Sequence, residues 1–296
     1  MRNYVKYLLV IAALFCGDNV FASESLAPEL VDEILAKDVA KTDIDVSERD
    51  PILSEIKQDI VYDRVIGIGA NCLTKAQINQ YFAPDLPPRE TKKGHADLFD
   101  WMRICDYYSF AKSLGNGLSD FFEIEDFTAH YETYGSPHVV DHKTMLWNHK
   151  HNTIWRHLFD SEESKKLWSA KTHGVLTTEK LKEIFPKLKE KLNYLKKKFI
   201  SAKDTKTLYI ISHYSIGAET PPDLNALVCV RDALKEIRGG DTQFTILFIP
   251  QSKEFDGVEN IIVREAKNFK SEWDGGDSLK WKKILDEFRF APNIWD

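Results

Sequence analysis

The stretch VIGIGANC, residues 65–72, passes from β-branched residues through two glycines to a cysteine. Its β-branched start predicts a buried strand over 60–68, because such side chains favour strands and Gly69 follows too soon for a typical helix. The glycines permit a tight turn into a short helix over 74–82. This strand, turn and helix predict an α/β fold and bring Cys72 to the start of a helix.

Cys72 is the first candidate for a chemical role. Unpaired amides at a helix N-terminus favour thiolate over thiol, and the backbone amides of Asn71 and Cys72 can hold an oxyanion. The residues therefore nominate Cys72 as a nucleophile. The alternative interpretation is a buried structural cysteine in an ordinary turn between strand and helix.

Strands and amphipathic helices alternate through the second half of the chain. The predicted strands cover 207–212, 244–250 and 260–264, and the predicted helices cover 181–199 and 223–237. Pro186 marks a kink or a late helix start, because proline removes one helical hydrogen bond. Gly239 and Gly240 are placed to end the second helix, and Asp277 or Ser278 can cap a last one.

This alternation predicts a three-layer α/β sandwich around a mostly parallel sheet, with a papain-like α+β fold as the alternative. In such sheets ligands gather at the carboxyl ends of the strands. Cys72, His213, Gln251 and Glu265 each follow a predicted strand. We therefore expect them at one edge of the sheet.

The middle of the chain, about 99–160, interrupts the alternation and is rich in aromatic residues and histidines. We interpret it as an insertion or cap within a single catalytic-like domain, residues 61–296. Its aromatic side chains either belong to the core or close over the site and stack on sugar rings.

The first 22 residues resemble a secretory signal peptide. Arg2 and Lys6 precede an apolar run, and small residues end at Ala22, where a signal peptidase would cleave. We expect an exported protein, periplasmic or secreted, with an N-terminal arm over 23–60. The apolar run is too short for a comfortable membrane span, so we expect no stable membrane insertion after cleavage.

Removal of this leader leaves three cysteines, Cys72, Cys105 and Cys229. An odd number in an oxidising compartment means at least one unpaired thiol. A bridge between Cys105 and Cys229 and two free buried thiols both fit the sequence.

Composition restricts the class of partner. The 296-residue chain has a formal net charge of −6 at pH 7, which argues against nucleic acid as the main partner, since phosphate binding needs concentrated positive charge. The lysine-rich stretch 187–198 is interpreted as the solvated face of a helix. We expect no cofactor and no bound metal.

Four short motifs in order resemble a known family: GIGANC at 67–72, FDW at 99–101, DFF at 120–122 and WNH at 147–149. Over roughly 62–285 the chain resembles a bacterial family classified as papain-like cysteine peptidases of unknown function. The resemblance implies a thiol nucleophile at Cys72 with His149 as its partner. It also makes Trp101, Trp147 and Asn148 candidate substrate-binding residues.

The chain departs from the papain pattern in one respect that matters for the chemistry. Papain-like enzymes carry a glutamine shortly before the cysteine to bind the oxyanion, whereas Gly67, Ile68 and Gly69 stand here. Backbone amides around Asn71 and Cys72 would take that role.

A cysteine nucleophile needs a nearby base, and histidine suits this near neutral pH. His213, at a predicted strand end, is a second candidate beside His149. Asp100 either orients the histidine or caps the helix that follows it.

Three functions remain open on the sequence. The leading hypothesis is an exported cysteine-dependent hydrolase or acyltransferase for peptide, amide or ester bonds, with a small-molecule, peptide or surface-glycan substrate. The second is a non-catalytic module that binds carbohydrate or protein. The third is a metal-binding protein.

The metal hypothesis depends on a group of five closely spaced histidines: His138, His142, His149, His151 and His157. Imidazoles at such spacing can bind zinc or copper. However, on a strand the pattern His149-x-His151 would place the two rings on opposite faces.

Overall fold

The computed structural model describes residues 60–69, 72–85, 95–100, 102–134, 141–155, 178–213, 221–240, 243–266 and 278–295. For residues 72, 130–134, 141–143, 178–180 and 184 it describes the backbone alone. All of them belong to the second of two compact units, Pro51–Asp296. The first unit, Met1–Asp50, lies outside the described residues, as do the expected signal peptide and all of the expected arm before Ile60.

The first predicted strand is divided into two. β1 (Val61–Tyr62) and β2 (Arg64–Gly67) are separated at Asp63, and they join different sheets. The strand is divided because the chain at Asp63 is hydrogen bonded to Lys206. The Lys206 carbonyl oxygen accepts from the amides of Asp63 and Arg64, and its amide donates to the Asp63 carboxylate. β1 pairs in parallel with β10 (Arg289–Phe290), a partner that lies far away in sequence.

The central sheet is parallel throughout its four described strands. Its order is β2, β7 (Thr207–His213), β8 (Phe244–Pro250) and β9 (Ile261–Val263). β7 and β8 are buried along almost their whole length, as their continuous apolar runs predict for strands covered on both faces.

Alternate side chains of these strands enter two separate hydrophobic cores. Tyr209 and Ile211 of β7 pack in one core with α3 (Thr178–Ser201) and α4 (Leu224–Arg238). Leu208 and Ile210 pack in the other with α1 (Cys72–Phe82) and α5 (Ser278–Leu285). Because successive side chains of a strand point to opposite faces, each face of the sheet packs against its own pair of helices.

The helices begin and end near the predicted positions, with one exception. α4 is capped by Asp223, whose side chain accepts from the Ala226 amide at 2.7 Å, and it ends at Gly239, whose φ of 78° is left-handed. α3 begins at Thr178, eight residues before Pro186, so of the two alternatives, a kink or a late helix start, the late start does not apply. Pro186 is exposed within a continuous helix, where the burial of the apolar stripe outweighs the lost hydrogen bond.

An antiparallel sheet interrupts the α/β order between α1 and α3. It consists of β3 (Met102–Ile104), β6 (Thr153–Trp155), β5 (Asp141–Asn148) and β4 (Phe127–Tyr134), in that spatial order. α2 (Tyr107–Gly115) follows β3, and a short 3-10 helix, Ile124–Asp126, precedes β4.

Most described aromatic residues of this region are core residues. Tyr107, Phe121, Phe122 and Trp155 are buried, whereas Tyr108 is exposed. The core interpretation of the aromatic segment is therefore correct for most of the residues that can be seen, because their rings fill the space between the antiparallel sheet and the neighbouring helices.

The protein is thus mixed α/β, with one parallel and one antiparallel four-stranded sheet and a parallel two-stranded pair among its described residues. None of the helices in the described ranges combines the length and apolar character needed to span a membrane.

Candidate functional site

The carboxyl edge of the parallel sheet collects the residues that follow its strands. His213 is the last residue of β7, Gln251 follows β8 directly, and Glu265 lies two residues beyond β9. Because the four strands are parallel, these positions and the turn from β2 into α1 share one edge. The convergence expected from the strand assignments is confirmed.

A close approach of helix and strand shapes the turn before Cys72. A Cβ atom at Gly67 would lie 3.3 Å from Thr74 Cγ2 and 3.4 Å from Ile78 Cδ1, closer than side-chain packing normally allows. Glycine at the end of β2 therefore lets α1 pack tightly on the strand. This packing holds α1 against β2.

The first turn of α1 is tied to the end of β7. α1 begins at Cys72, and the hydroxyl of Thr74 is hydrogen bonded to the hydroxyl of Ser212. Ser212 is buried and directly precedes His213. The contact therefore joins Thr74, two residues after Cys72, to the residue before His213. No local sequence pattern predicts this contact, because it joins residues 138 positions apart.

Lys75 occupies the same first turn and is almost fully buried. Its ammonium lies 2.9 Å from Asp100 Oδ2 and donates to the His95 carbonyl oxygen at 2.8 Å. It also lies 5.4 Å from the ring centroid of Trp295. Only 2 % of the Lys75 side chain is exposed, so its charge is held by these partners rather than by water.

Asp100 serves neither of the roles considered for it among the described residues. Its Oδ2 accepts from the Asp97 amide at 2.8 Å and pairs with Lys75 instead of a histidine. The following helix, α2, is capped by Asp106, whose carboxylate accepts from the Tyr108 amide. Asp106 caps α2 because it directly precedes the helix, whereas Asp100 lies six residues before Asp106.

Further charges surround the Lys75–Asp100 pair. The Asp97 carboxylate is hydrogen bonded to Arg64 and lies 4.0 Å from Lys75 and 3.8 Å from Lys198. Burial raises the pKa of the Asp100 carboxyl to about 6, against the opposing effect of the Lys75 ammonium. Consistent with this, Asp100 Oδ1 is buried without a hydrogen-bond donor from the part of the chain that is described. Three cations therefore face two carboxylates behind the first turn of α1.

The turn after β2 also contacts the antiparallel sheet. The Ile104 amide donates to the Gly69 carbonyl oxygen at 3.4 Å, which brings the end of β3 and the following Cys105 beside this turn. Neither Cys105 nor Cys229 forms a disulfide, so the bridge between them is not formed. Cys105 is half-buried next to β3, whereas Cys229 is exposed on α4.

His149 directly follows β5, two strands from β3, and its ring lies toward β4. Its Nε2 is 2.7 Å from the Thr128 hydroxyl on β4, and its ring lies 4.8 Å from the Trp147 ring, centroid to centroid. β3, which contacts Gly69, is three strands away from β4, or roughly 14 Å at the usual spacing between strands. The described contacts of His149 join it to Thr128, Trp147 and the Asp126 carbonyl oxygen, and none of them reaches the turn that precedes Cys72.

His151 and Asn148 shape the turn between β5 and β6. His149 and His151 lie in a turn, because Asn148 Oδ1 accepts from the His151 amide and its Nδ2 donates to the Phe121 carbonyl oxygen, both at 3.0 Å, which bends the chain. His151 is buried, with Nδ1 2.6 Å from the Ser113 hydroxyl. Both ends of the Asn148 amide are thus engaged within the protein.

Several predicted site residues lie outside the described residues or are described by their backbone alone. Asn71 and Trp101 lie outside the described residues, as do His138 and His157, while Cys72 and His142 are described by their backbone alone. Trp147 is half-buried and packs on His149. Within the described ranges, no group of three or more His, Cys, Asp or Glu side chains is arranged to hold a metal ion.

Comparison with known protein families, curated proteins and solved structures finds no match to this chain.

Proposed function

We propose that this protein is an exported cysteine-dependent hydrolase or acyltransferase with Cys72 as its nucleophile. The observation that carries the proposal is the contact between Thr74 and Ser212, which joins the first turn of α1 to the end of β7. A thiol at a helix N-terminus is favoured as thiolate by the unpaired amides and the helix dipole. The first turn of α1 contains no acidic residue that would oppose this effect.

His213 is the base that the geometry favours. It ends the strand next to β2 and follows Ser212, whereas the ring of His149 is held on β4 by Thr128. An imidazole must lie within hydrogen-bond reach of the sulfur to take its proton and later return it to the leaving group. We therefore prefer His213 to His149, although the family resemblance points to His149.

The proposed reaction has two steps. The Cys72 thiolate attacks the substrate carbonyl, the alcohol or amine leaves with a proton from His213, and a thioester remains on Cys72. Water or an acceptor hydroxyl, deprotonated by His213, then attacks the thioester and releases the thiol. Backbone amides at residues 71 and 72 stabilise the oxyanion in both steps.

Two broader parts of the proposal follow from the same features. Helices on both faces of the parallel sheet support a three-layer sandwich over a papain-like α+β fold. The ordered motifs support kinship with the family of papain-like cysteine peptidases. The substrate class is a peptide, amide or ester, including those on surface glycans, and the chemistry requires no cofactor.

The test is to trap the thioester with an activated ester. The mature protein is incubated with p-nitrophenyl acetate, nitrophenolate release is followed, and peptides are analysed for acetylation. We expect a burst of nitrophenolate and an acetyl group on Cys72. His213→Gln should slow acylation by roughly 100-fold, the usual contribution of a general base.

The controls separate the nucleophile from its base. Cys72→Ser must abolish the burst, and Cys229→Ala, which removes an exposed thiol on α4, must preserve it. Acetylation confined to other residues contradicts the nucleophile. A loss of the burst in His149→Gln with His213→Gln unaffected would transfer the role of base to His149.

A further inference from the structure

The lysines of α3 differ in what they contact, and some of them are bound to the rest of the protein. Lys189 lies 2.9 Å from the Glu123 carboxylate, and Lys198 donates to the Ala96 carbonyl oxygen at 2.7 Å. Both side chains are only partly exposed, since they reach over neighbouring segments of the chain. These lysines help to hold α3 in place.

Three other lysines of α3 form a row on its exposed side. Lys187, Lys191 and Lys197 are exposed, and none of them has a hydrogen-bond or ion-pair partner among the described residues. Lys187 lies four residues before Lys191, and Tyr194, which is 67 % exposed, lies three residues from both Lys191 and Lys197. Residues three or four apart share one face of a helix, so these four side chains form one row, the basic row of α3.

The positive charge of this region is not balanced along the chain. The stretch 191–203 contains five lysines and no acidic residue. Glu183 and Glu190, four residues before Lys187 and Tyr194, are on the same face but precede this stretch. A solvated helix face typically alternates charges of both signs. In a chain with a net charge of −6, a local excess of cations favours contact with an anionic partner.

The shape of the helix selects the kind of anion. The opposite face of α3 is buried in the core through Leu188, Leu192, Leu195 and Phe199, so the row is a convex surface that needs no unfolding to make contact. Proteins commonly hold a linear polyanion in a positively charged groove, whereas a convex row fits a flat anionic surface. Tyrosine is also enriched at the headgroup level of membranes. These features favour a lipid surface.

We propose that the basic row of α3 docks this protein on a membrane surface that contains anionic phospholipids, without inserting a helix. The lysine ammonium groups pair with headgroup phosphates, and the Tyr194 ring lies among the headgroups. Each lysine close to an anionic membrane surface strengthens binding by about fivefold. The attraction falls off within the Debye length, so it weakens as salt is added. This docking does not depend on the role of Cys72.

The experiment measures co-sedimentation of the protein with vesicles of mixed phosphatidylcholine and phosphatidylglycerol at increasing salt. Wild type should bind these vesicles, less tightly as the salt concentration rises, and should not bind vesicles of phosphatidylcholine alone. Lys187→Ala/Lys191→Ala/Lys197→Ala should lower the partition coefficient by roughly 100-fold, the combined effect of three lysines. Arginine at the same three positions keeps the charge and should preserve binding.

The matched control removes the same charge elsewhere. Lys112→Ala/Lys253→Ala/Lys283→Ala changes three exposed lysines on other parts of the fold and should leave vesicle binding nearly unchanged. Circular dichroism verifies that each variant is folded. An equal loss in both triple variants would show that net charge, rather than the row, determines binding, and would overturn the inference.

Two further outcomes would also overturn it. The first is a wild-type protein that does not bind the anionic vesicles, or that binds phosphatidylcholine vesicles equally well. The second is binding to heparin, a linear polyanion, without binding to the anionic vesicles, which would assign the basic row to a glycan or a nucleic acid instead of a membrane.

Discussion

At the scale of single residues, side chains that are distant in sequence meet around the first turn of α1, namely Thr74 with Ser212 and Lys75 with Asp100. Cys72 and His213 are candidates because each stands just after a strand predicted from local sequence patterns. The pair Lys75–Asp100 and the contact Thr74–Ser212 join side chains that are distant in sequence, and local patterns carry no information about such pairs. Asp100 was noticed within its motif, but its burial and its partner depend on the whole fold.

His151 provides a prediction at this scale. Its ring is buried, with Nε2 3.3 Å from the Asp120 carbonyl oxygen and Nδ1 2.6 Å from the Ser113 hydroxyl. The Ser113 hydroxyl donates its one proton to the Ser109 carbonyl oxygen at 2.8 Å, so it accepts from Nδ1 of the ring. Burial lowers the pKa of His151, although Asp120 opposes the shift.

The lowered pKa determines how stability depends on pH. The unfolded chain binds a proton to this histidine near its ordinary value of 6.5, before the folded protein does, so acid favours unfolding. The contribution of His151 is therefore complete above pH 6.5 and declines as the pH falls toward the lowered value. Urea unfolding at pH 7.5 and 5.5 should show a smaller decline for His151→Gln than for wild type.

The matched control is Ser113→Ala, which removes a hydrogen bond but keeps the titrating ring. It should lower stability at both pH values and retain the decline. Equal declines for wild type and His151→Gln would show that the ring does not carry this dependence.

At the scale of elements, those with strong local signals were predicted well. β8 was predicted at its observed bounds from a continuous apolar run, and α4 from the cap at Asp223 and the glycine at position 239. β1 and β2 were predicted as one strand, because their division depends on pairing with β10 and β7. Local sequence patterns do not predict pairing between strands that lie far apart in the chain.

Gly67 gives a prediction for the packing of α1 on β2. Valine there would bring added methyl groups against Thr74 and Ile78, which already lie within 3.4 Å of the missing Cβ. Overpacking of this kind typically costs about 1–3 kcal/mol, so Gly67→Val should lower the free energy of unfolding by that amount. Chemical denaturation measures the change.

Gly115→Ala is the control for this prediction. At the end of α2 the nearest atom to an added Cβ is the Glu236 carboxylate oxygen, 3.6 Å away, and alanine favours a helix more than glycine does. This variant should be neutral or slightly stabilised. If Gly67→Val were equally neutral, the close approach would not determine where α1 lies.

At the scale of the whole molecule, the parallel sheet has one property that matters most for function. Its strands follow one another in chain order across the sheet, so their carboxyl ends and the turn before Cys72 meet at one edge. The sequence predicted that meeting from the alternation of strands and helices. It did not predict the antiparallel sheet, whose hairpin and edge pairings became visible only in the folded chain.

The two free cysteines supply an internal comparison for the central claim. Cys229 is exposed, yet partial burial and the neighbouring Asp232 and Asp223 raise the pKa of its thiol. The Cys229 thiol is thus accessible to reagents, but it is not activated as a nucleophile. Cys105 is half-buried beside the turn that leads to Cys72.

The most direct test is the relative rate of iodoacetamide alkylation of Cys72, Cys105 and Cys229 in the folded wild-type protein at mildly acidic pH, quantified by peptide mass spectrometry. The account predicts that Cys72 reacts at least about tenfold faster than Cys229 and Cys105, because at this pH mainly an activated cysteine is present as thiolate. A Cys72 that reacts no faster than Cys229 would contradict the claim that it is an activated nucleophile.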